Sequence, residues 1–185
     1  EIQFSFYSGA NYNNCDTDLF VFYKISEEVS IVMLQQEIPI ETNYKILKVA
    51  KDKGIMTILD PGPPSEEFKS FPDYLKLVDF LTPNKHEAEF ILGKEITGEE
   101  LEAAKEISSM GPKNVIITLG KEGVVFAGEE VGRLPSYNVN SIDPVGSGDC
   151  FKGALAVKIN QKSSFKDALS FCIYVSALRT IKQRS

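Results

Sequence analysis

Residues 143–151 read DPVGSGDCF and run directly into KGALAVKI at 152–159. Two glycines and a serine stand between two aspartates, and the run that follows is apolar and helix-prone. A loop that ends this way at a helix start belongs to an α/β chain, provided that strands and helices alternate ahead of it.

They do. VSIVML (29–34) is a continuous apolar run typical of a strand covered on both faces. Ile40 to Lys53 carries apolar residues at 40, 44, 47 and 50 with Gly54 past the end, which predicts a helix with a glycine stop. IMTILD (55–60) and VDFLT (78–82) read as strands, Lys85 to Leu92 as a short helix, and Gly98 to Met110 as a longer helix capped by Thr97 and ended by Gly111. NVIITL (114–119) is another strand, and GVVFAG (123–128) with Val131 to Pro135 predicts an antiparallel hairpin at the sheet edge. Helices are expected from about Gly148 to Asn160 and from Ser164 towards Lys182. At the amino end, IQFSFYS (2–8) alternates like a half-buried strand and breaks at Gly9-Ala10-Asn11 into a loop rich in Asn and Asp. The pattern predicts an α/β domain with a mostly parallel central sheet.

With 185 residues, 43% of them hydrophobic and 25% charged, the chain suits one globular domain. No run approaches a spanning helix. The net charge of −6 is spread, without a basic patch interleaved with aromatics, which argues against nucleic acid and membrane as partners. Cys15, Cys150 and Cys172 have no metal or disulfide spacing and read as reduced thiols of a cytoplasmic protein. The chain opens with Glu-Ile-Gln and has no signal segment, so a start that lies elsewhere is expected.

In open α/β sheets ligands bind beyond the carboxyl ends of the strands. Here those loops carry QQEIP (35–39), DPGPP (60–64), TPNKHEAE (82–89), TLGKEG (118–123) and DPVGSGD (143–149). Gly146, Ser147 and Gly148 are able to present backbone N–H groups to an anion at a helix amino terminus, and a carboxylate beside them, Asp149, suits a proton acceptor for an attacking hydroxyl. An ordinary turn, with Asp149 placed well against the helix dipole, fits the same residues. Asn84 and Glu87, three apart at a helix start, suit either a capping box or a hydrated magnesium ion. Thr118, Gly120 and Gly123 suit either a nucleotide phosphate tail or a hairpin turn. His86 reads as solvent-facing, and the acidic pairs at 27–28, 66–67, 99–100 and 129–130 as solvated surface.

Taken together, these loops resemble those of the ribokinase-like, phosphofructokinase-B type sugar kinases. DPVGSGDCFKGAL resembles the family's carboxy-terminal signature, LTPNKHEAEFILG its Asn-x-x-Glu motif, VIITLGKEGVVF its nucleotide-phosphate segment, LQQEIP the position of a sugar-contacting glutamate, and SGAN (8–11) the end of an early strand. The resemblance covers nearly the whole chain and implies a three-layer α/β/α sandwich. It implies ATP-dependent phosphorylation of a sugar hydroxyl, with Asp149 as general base and the N–H groups of Gly146, Ser147 and Gly148 as anion hole. Asn84 and Glu87 would position magnesium through water, Thr118, Gly120 and Gly123 would face the nucleotide, and Glu37 would touch the sugar. Asp143 and the carbonyl of Val145 would belong to a potassium-type cation site. PVGSGD also resembles the branch acting on phosphorylated sugars, whereas CFKGAL and QQEIP lean towards the ribokinase branch and an unphosphorylated acceptor such as ribose.

Against the family pattern, the amino-terminal sugar-binding segment and most of the lid are missing, with 1–12 as a possible remnant. LRTIKQRS (178–185) also departs from the family's closing Gly-Ala turn. The chain therefore reads as the larger carboxy-terminal part of one kinase domain that would be a homodimer at full length. A non-catalytic nucleotide- or sugar-binding module is the competing reading. A dinucleotide enzyme is disfavoured because no GxGxxG follows an early strand.

Overall fold

The inner strands of the central sheet send alternate side chains into two different cores, and this divides the helices between two faces. The computed structural model describes residue 11 and residues 16–181. The strand expected over 2–8, its break at Gly9-Ala10, Cys15, the 1–12 remnant and the tail at 182–185 lie outside the described residues, apart from Asn11.

The six-stranded sheet runs in the order β1 (Ile31–Gln35), β2 (Met56–Asp60), β3 (Phe80–Leu81), β4 (Asn114–Thr118), β5 (Val124–Ala127) and β6 (Gly132–Leu134). The first four are parallel, and β5 and β6 fold back as the expected antiparallel hairpin. Leu59, Leu81, Val115, Ile117 and Val125 pack into one core with residues of α2 (Ile40–Lys53), α3 (Lys85–Leu92) and α4 (Glu100–Ser109). Their neighbours Ile58, Phe80, Ile116, Val124 and Phe126 pack on the opposite face against α5 (Ser147–Asn160) and α6 (Phe165–Thr180). The result is the three-layer α/β/α sandwich.

Several local expectations are corrected. The Asn/Asp-rich stretch enters a helix, α1 (Asp16–Ile25), whose Leu19 and Phe22 lean on the first core. Among the described residues β1 is the end strand of the sheet, and it is not covered on both faces as expected, since Met33 is 45% exposed. β3 is two residues long rather than five: ahead of it the Asp79 N–H goes to the Thr57 side chain, and after it the Thr82 N–H and hydroxyl both donate to Leu59 O. Thr97 does not cap α4: Gly98 turns into the left-handed region (φ 74°) and Glu99 takes the cap position without a side-chain bond. Glu100, read as solvated, is buried 3.4 Å from Lys85. Backbone N–H groups at its own helix start hold its carboxyl below the ordinary value. His86 is solvent-facing as expected. Cys150 and Cys172 are free thiols, and burial pushes Cys172 up to about 12. No helix of the described residues is long and apolar enough to cross a membrane.

A buried polar cluster fixes β2 against the entry of β3. The Thr57 N–H donates to Asp79 Oδ2 at 2.9 Å, the Asp79 N–H donates to Thr57 Oγ1 at 2.8 Å, and Lys113 reaches Asp79 Oδ1 at 2.5 Å. Asp79→Ala strands the buried Thr57 N–H and is expected to lower the unfolding free energy by about 2–3 kcal/mol in urea titrations. A loss below about 0.5 kcal/mol, the scatter of ordinary surface changes, would show that the cluster contributes little.

Candidate functional site

The carboxyl ends of β1 to β4 open onto one edge of the sandwich, where the loops 35–39, 60–64, 82–85 and 118–123 meet the start of α5. Asn84 and Thr118 are joined there by an isolated parallel bridge that continues the β3–β4 pairing. Asn84 caps α3: its Oδ1 accepts the Glu87 N–H at 2.9 Å, and Glu87 Oε2 accepts the Asn84 N–H at 2.8 Å. The capping box is therefore real. It also holds the Glu87 carboxylate beside Asp60, and burial, reinforced by the Asp60 charge, raises the Glu87 carboxyl above its ordinary value. A half-buried carboxylate beside a second carboxylate suits a hydrated hard cation. Among the described residues no cluster of three or more His, Cys, Asp or Glu forms a protein-only metal cage.

At α5 the cap is Gly146, whose φ of 79° is one that glycine adopts without strain, and no side chain caps the helix. The Ser147 N–H is taken by Pro144 O at 3.2 Å and the Cys150 N–H by Gly146 O at 3.0 Å. Between them, the N–H groups of Gly148 and Asp149 have no acceptor among the described residues. First-turn donors of this kind carry the positive end of the helix dipole. A cavity of about 90 Å³ opens beside them, lined by Thr118, Gly120, Gly123, Ser136, Ser147 and Gly148. A larger one of about 430 Å³ continues from Gly120, Ser136 and Ser147 towards Tyr137 and Asn138. Gly123 also has a packing reason, since a Cβ there would stand 2.0 Å from Leu134 O.

On the other side of Asp149 lies a cavity of about 260 Å³ lined by Gln35, Asp60, Asp149 and Lys152 over Met33 and Ile58. A small space bordered by Asp60, Asn84, Glu87, Gly148 and Lys152 lies between the two sides. Asp60 is the hub of this region. Its Oδ2 accepts from Gln35 Nε2 at 3.1 Å and pairs with the Lys152 ammonium, and its Oδ1 accepts the Gly62 N–H at 3.1 Å. Sequence reasoning assigned no role to Asp60, Lys152 or Gln35. The available signal was helical spacing, which puts Lys152 one turn beyond Asp149 on the same face. Glu37 is exposed in the turn after β1 and does not line this cavity; Gln35 does.

Asp143 and Val145 sit just ahead of the Gly146 cap. Asp143 Oδ1 accepts the Val145 N–H at 3.0 Å, and its Oδ2 faces the Arg179 guanidinium at 3.5 Å.

Comparisons with known proteins agree with this architecture. The family described as pfkB family carbohydrate kinase matches residues 2–184. A ribokinase of Staphylococcus aureus is 33% identical over 181 residues, covering 95% of this chain and 58% of that protein. Among solved structures, ribokinase from Thermotoga maritima superimposes with a TM-score of 0.82 at 28% identity, over 96% of this chain and 58% of that one. Arabidopsis thaliana ribokinase, complexed with ribose and ATP, gives a TM-score of 0.81 at 26% identity, over 97% of this chain and 59% of that one. The chain thus spans somewhat over half the length of the proteins it matches.

The raised Glu87 carboxyl has a signed consequence. Folding favours its protonated form, so its contribution to stability is fully present below the ordinary carboxylate value and is lost as pH rises through the raised value. Unfolding titrations at stepped pH, taken as wild type minus Glu87→Gln, should show that fall. A flat difference profile would count against a carboxyl raised by partial burial beside Asp60.

Proposed function

The chain belongs to the pfkB family of carbohydrate kinases, and we propose that it carries the catalytic and nucleotide-phosphate part of an ATP-dependent sugar kinase whose acceptor is ribose or a similar unphosphorylated sugar. One observation carries this reading: the start of α5 lies between two cavities, with Gly148 on one side and Asp149 lining the other. Relatives named ribokinase, and a structural neighbour complexed with ribose and ATP, support the choice of donor and acceptor.

In this reading the triphosphate tail lies along Thr118, Gly120 and Gly123, with its terminal phosphoryl group over the first turn of α5. Asp149 takes the proton of the acceptor hydroxyl as that oxygen forms its bond to the γ-phosphorus, and the bond from phosphorus to the β–γ bridging oxygen breaks to release ADP. The N–H groups of Gly146, Ser147 and Gly148 are the anion hole of this proposal. Gly148 has its donor unpaired, and Ser147 exchanges its Pro144 partner for a phosphoryl oxygen. Backbone dipoles fixed before the charge develops need no reorganisation.

The residues present fit magnesium: Asn84 and Glu87 would hold it through water, and it would supply positive charge to the phosphates. For potassium, the Asp143 carboxylate and the Val145 carbonyl would be the holding groups; Asp143 also accepts the Val145 N–H and faces Arg179, and no step is assigned to that ion. A cytoplasmic homodimer, with Glu37 near the sugar, completes the reading.

The test is ADP release by the full-length protein with magnesium, ATP and a panel of sugars. Ribose should turn over and fructose 6-phosphate should not. Asp149→Asn should reduce turnover by about a thousandfold, within the range for loss of a general base, while ATP still binds in calorimetry. Wild-type turnover by that variant would remove Asp149 from its role. No turnover with any sugar would favour a binding module. Glu87→Gln should raise the magnesium concentration needed for half-maximal rate several-fold; an unchanged requirement would remove Glu87 from the metal.

A further inference from the structure

We propose that Lys152 is the positioning residue for Asp149, held in place by its buried ion pair with Asp60; the inference rests on the reading of Asp149 as the base. Asp149 is the more exposed member of this group, with 72% of its side chain open, whereas the Lys152 and Asp60 side chains are 13% and 10% open. An exposed carboxylate in the first turn of a helix is free to change rotamer, and something must hold it towards the acceptor side. The Lys152 ammonium lies 3.5 Å from Asp149 Oδ1, one helical turn along α5, close enough to attract but too far for a strong bond.

What keeps the ammonium at that distance is Asp60. Lysine is a compact charge on a long flexible stem and would ordinarily close on the nearest carboxylate. Here its main contact is Asp60 Oδ2, and Asp60 is itself held by Gln35 from β1 and by the Gly62 N–H of its own loop. The acids facing the ammonium are Asp60 from β2, Glu87 from α3 and Asp149 from α5 itself. Asp60 therefore does two things. It fixes the ammonium, and it competes with Asp149 for it, leaving Asp149 oriented through Oδ1 with its other oxygen for the acceptor hydroxyl. The chain Gln35, Asp60, Lys152, Asp149 links the ends of two strands to the helix that carries the base.

A merely structural ion pair and a positioning one differ in how the two variants combine. In the full-length protein, Lys152→Met should lower kcat about tenfold with the KM for ATP unchanged within twofold, because Asp149 loses its guide. Asp60→Asn should be worse, about a hundredfold, because the released ammonium closes on Asp149. Adding Lys152→Met to Asp60→Asn should then raise kcat about tenfold, back to the level of Lys152→Met alone. Urea unfolding of all four proteins runs alongside: each single variant should be less stable than wild type, and the double variant more stable than Asp60→Asn. The proposal is overturned if Lys152→Met keeps wild-type kcat while Asp149→Asn is inactive, or if the two losses simply multiply in folded proteins. Wild-type turnover by Asp149→Asn would instead fail the base assignment and take this proposal with it.

Discussion

A parallel strand covered on both faces has to divide its side chains between two cores, and this constraint organises the molecule. Ile58 and Leu59 are neighbours in β2, yet they lie in different clusters, and the same holds for Phe80 and Leu81, for Ile116 and Ile117, and for Val124 and Val125. Each fully buried aliphatic or aromatic side chain contributes about 1.5–3 kcal/mol, against about 0.3–0.5 kcal/mol for an exposed helix pair such as Glu41 with Lys45. The two cores therefore decide where the helices go. With α2, α3 and α4 on one face and α5 and α6 on the other, the carboxyl ends of the parallel strands are left uncovered at one edge.

The uncovered edge holds groups that a stability-driven sequence would avoid. Two donors in the first turn of α5 lack an acceptor among the described residues, and Glu87 is half-buried next to another carboxylate. The partly buried carboxylate costs folding energy unless a partner completes it, whereas the Gly148 and Asp149 donors are exposed and open to a ligand. Phosphate oxygens would complete the donors, and a hydrated cation would complete the carboxylate. Lys152 makes the acidic cluster tolerable without a ligand, since its ammonium serves Asp60 and lies beside Asp149.

Much of the fold was legible in the sequence. The helices over 40–53 and 85–92 appear with the bounds read from apolar spacing and glycine stops. The hairpin of β5 and β6 also appears as read. The failures have physical reasons. α1 was hidden because Asn and Asp at its start read as loop, and β3 was overcounted because the Asp79 N–H in VDFLT goes to the Thr57 side chain rather than to a strand carbonyl. Glu100 read as surface because an acidic pair at a helix start is usually solvated, and nothing nearby in sequence announces Lys85 and Arg133, which meet its carboxylate.

The candidate site divides along the same line. Asp149, the glycines before it, and the pair Asn84 and Glu87 are legible because their chemistry depends on short spacing within one loop or one helical turn. Such spacing is a property of the chain itself. Asp60, Lys152 and Gln35 are 25 and 92 positions apart along their contacts, and only the tertiary fold brings them together. The sequence alone thus determined the strand–helix order, the glycine-rich turn at the start of α5 and the carboxylate beside it. The structure decided which charges share the buried space around that carboxylate, because an ammonium and a carboxylate on different elements interact according to distance in space, and that distance exists only once both cores have formed.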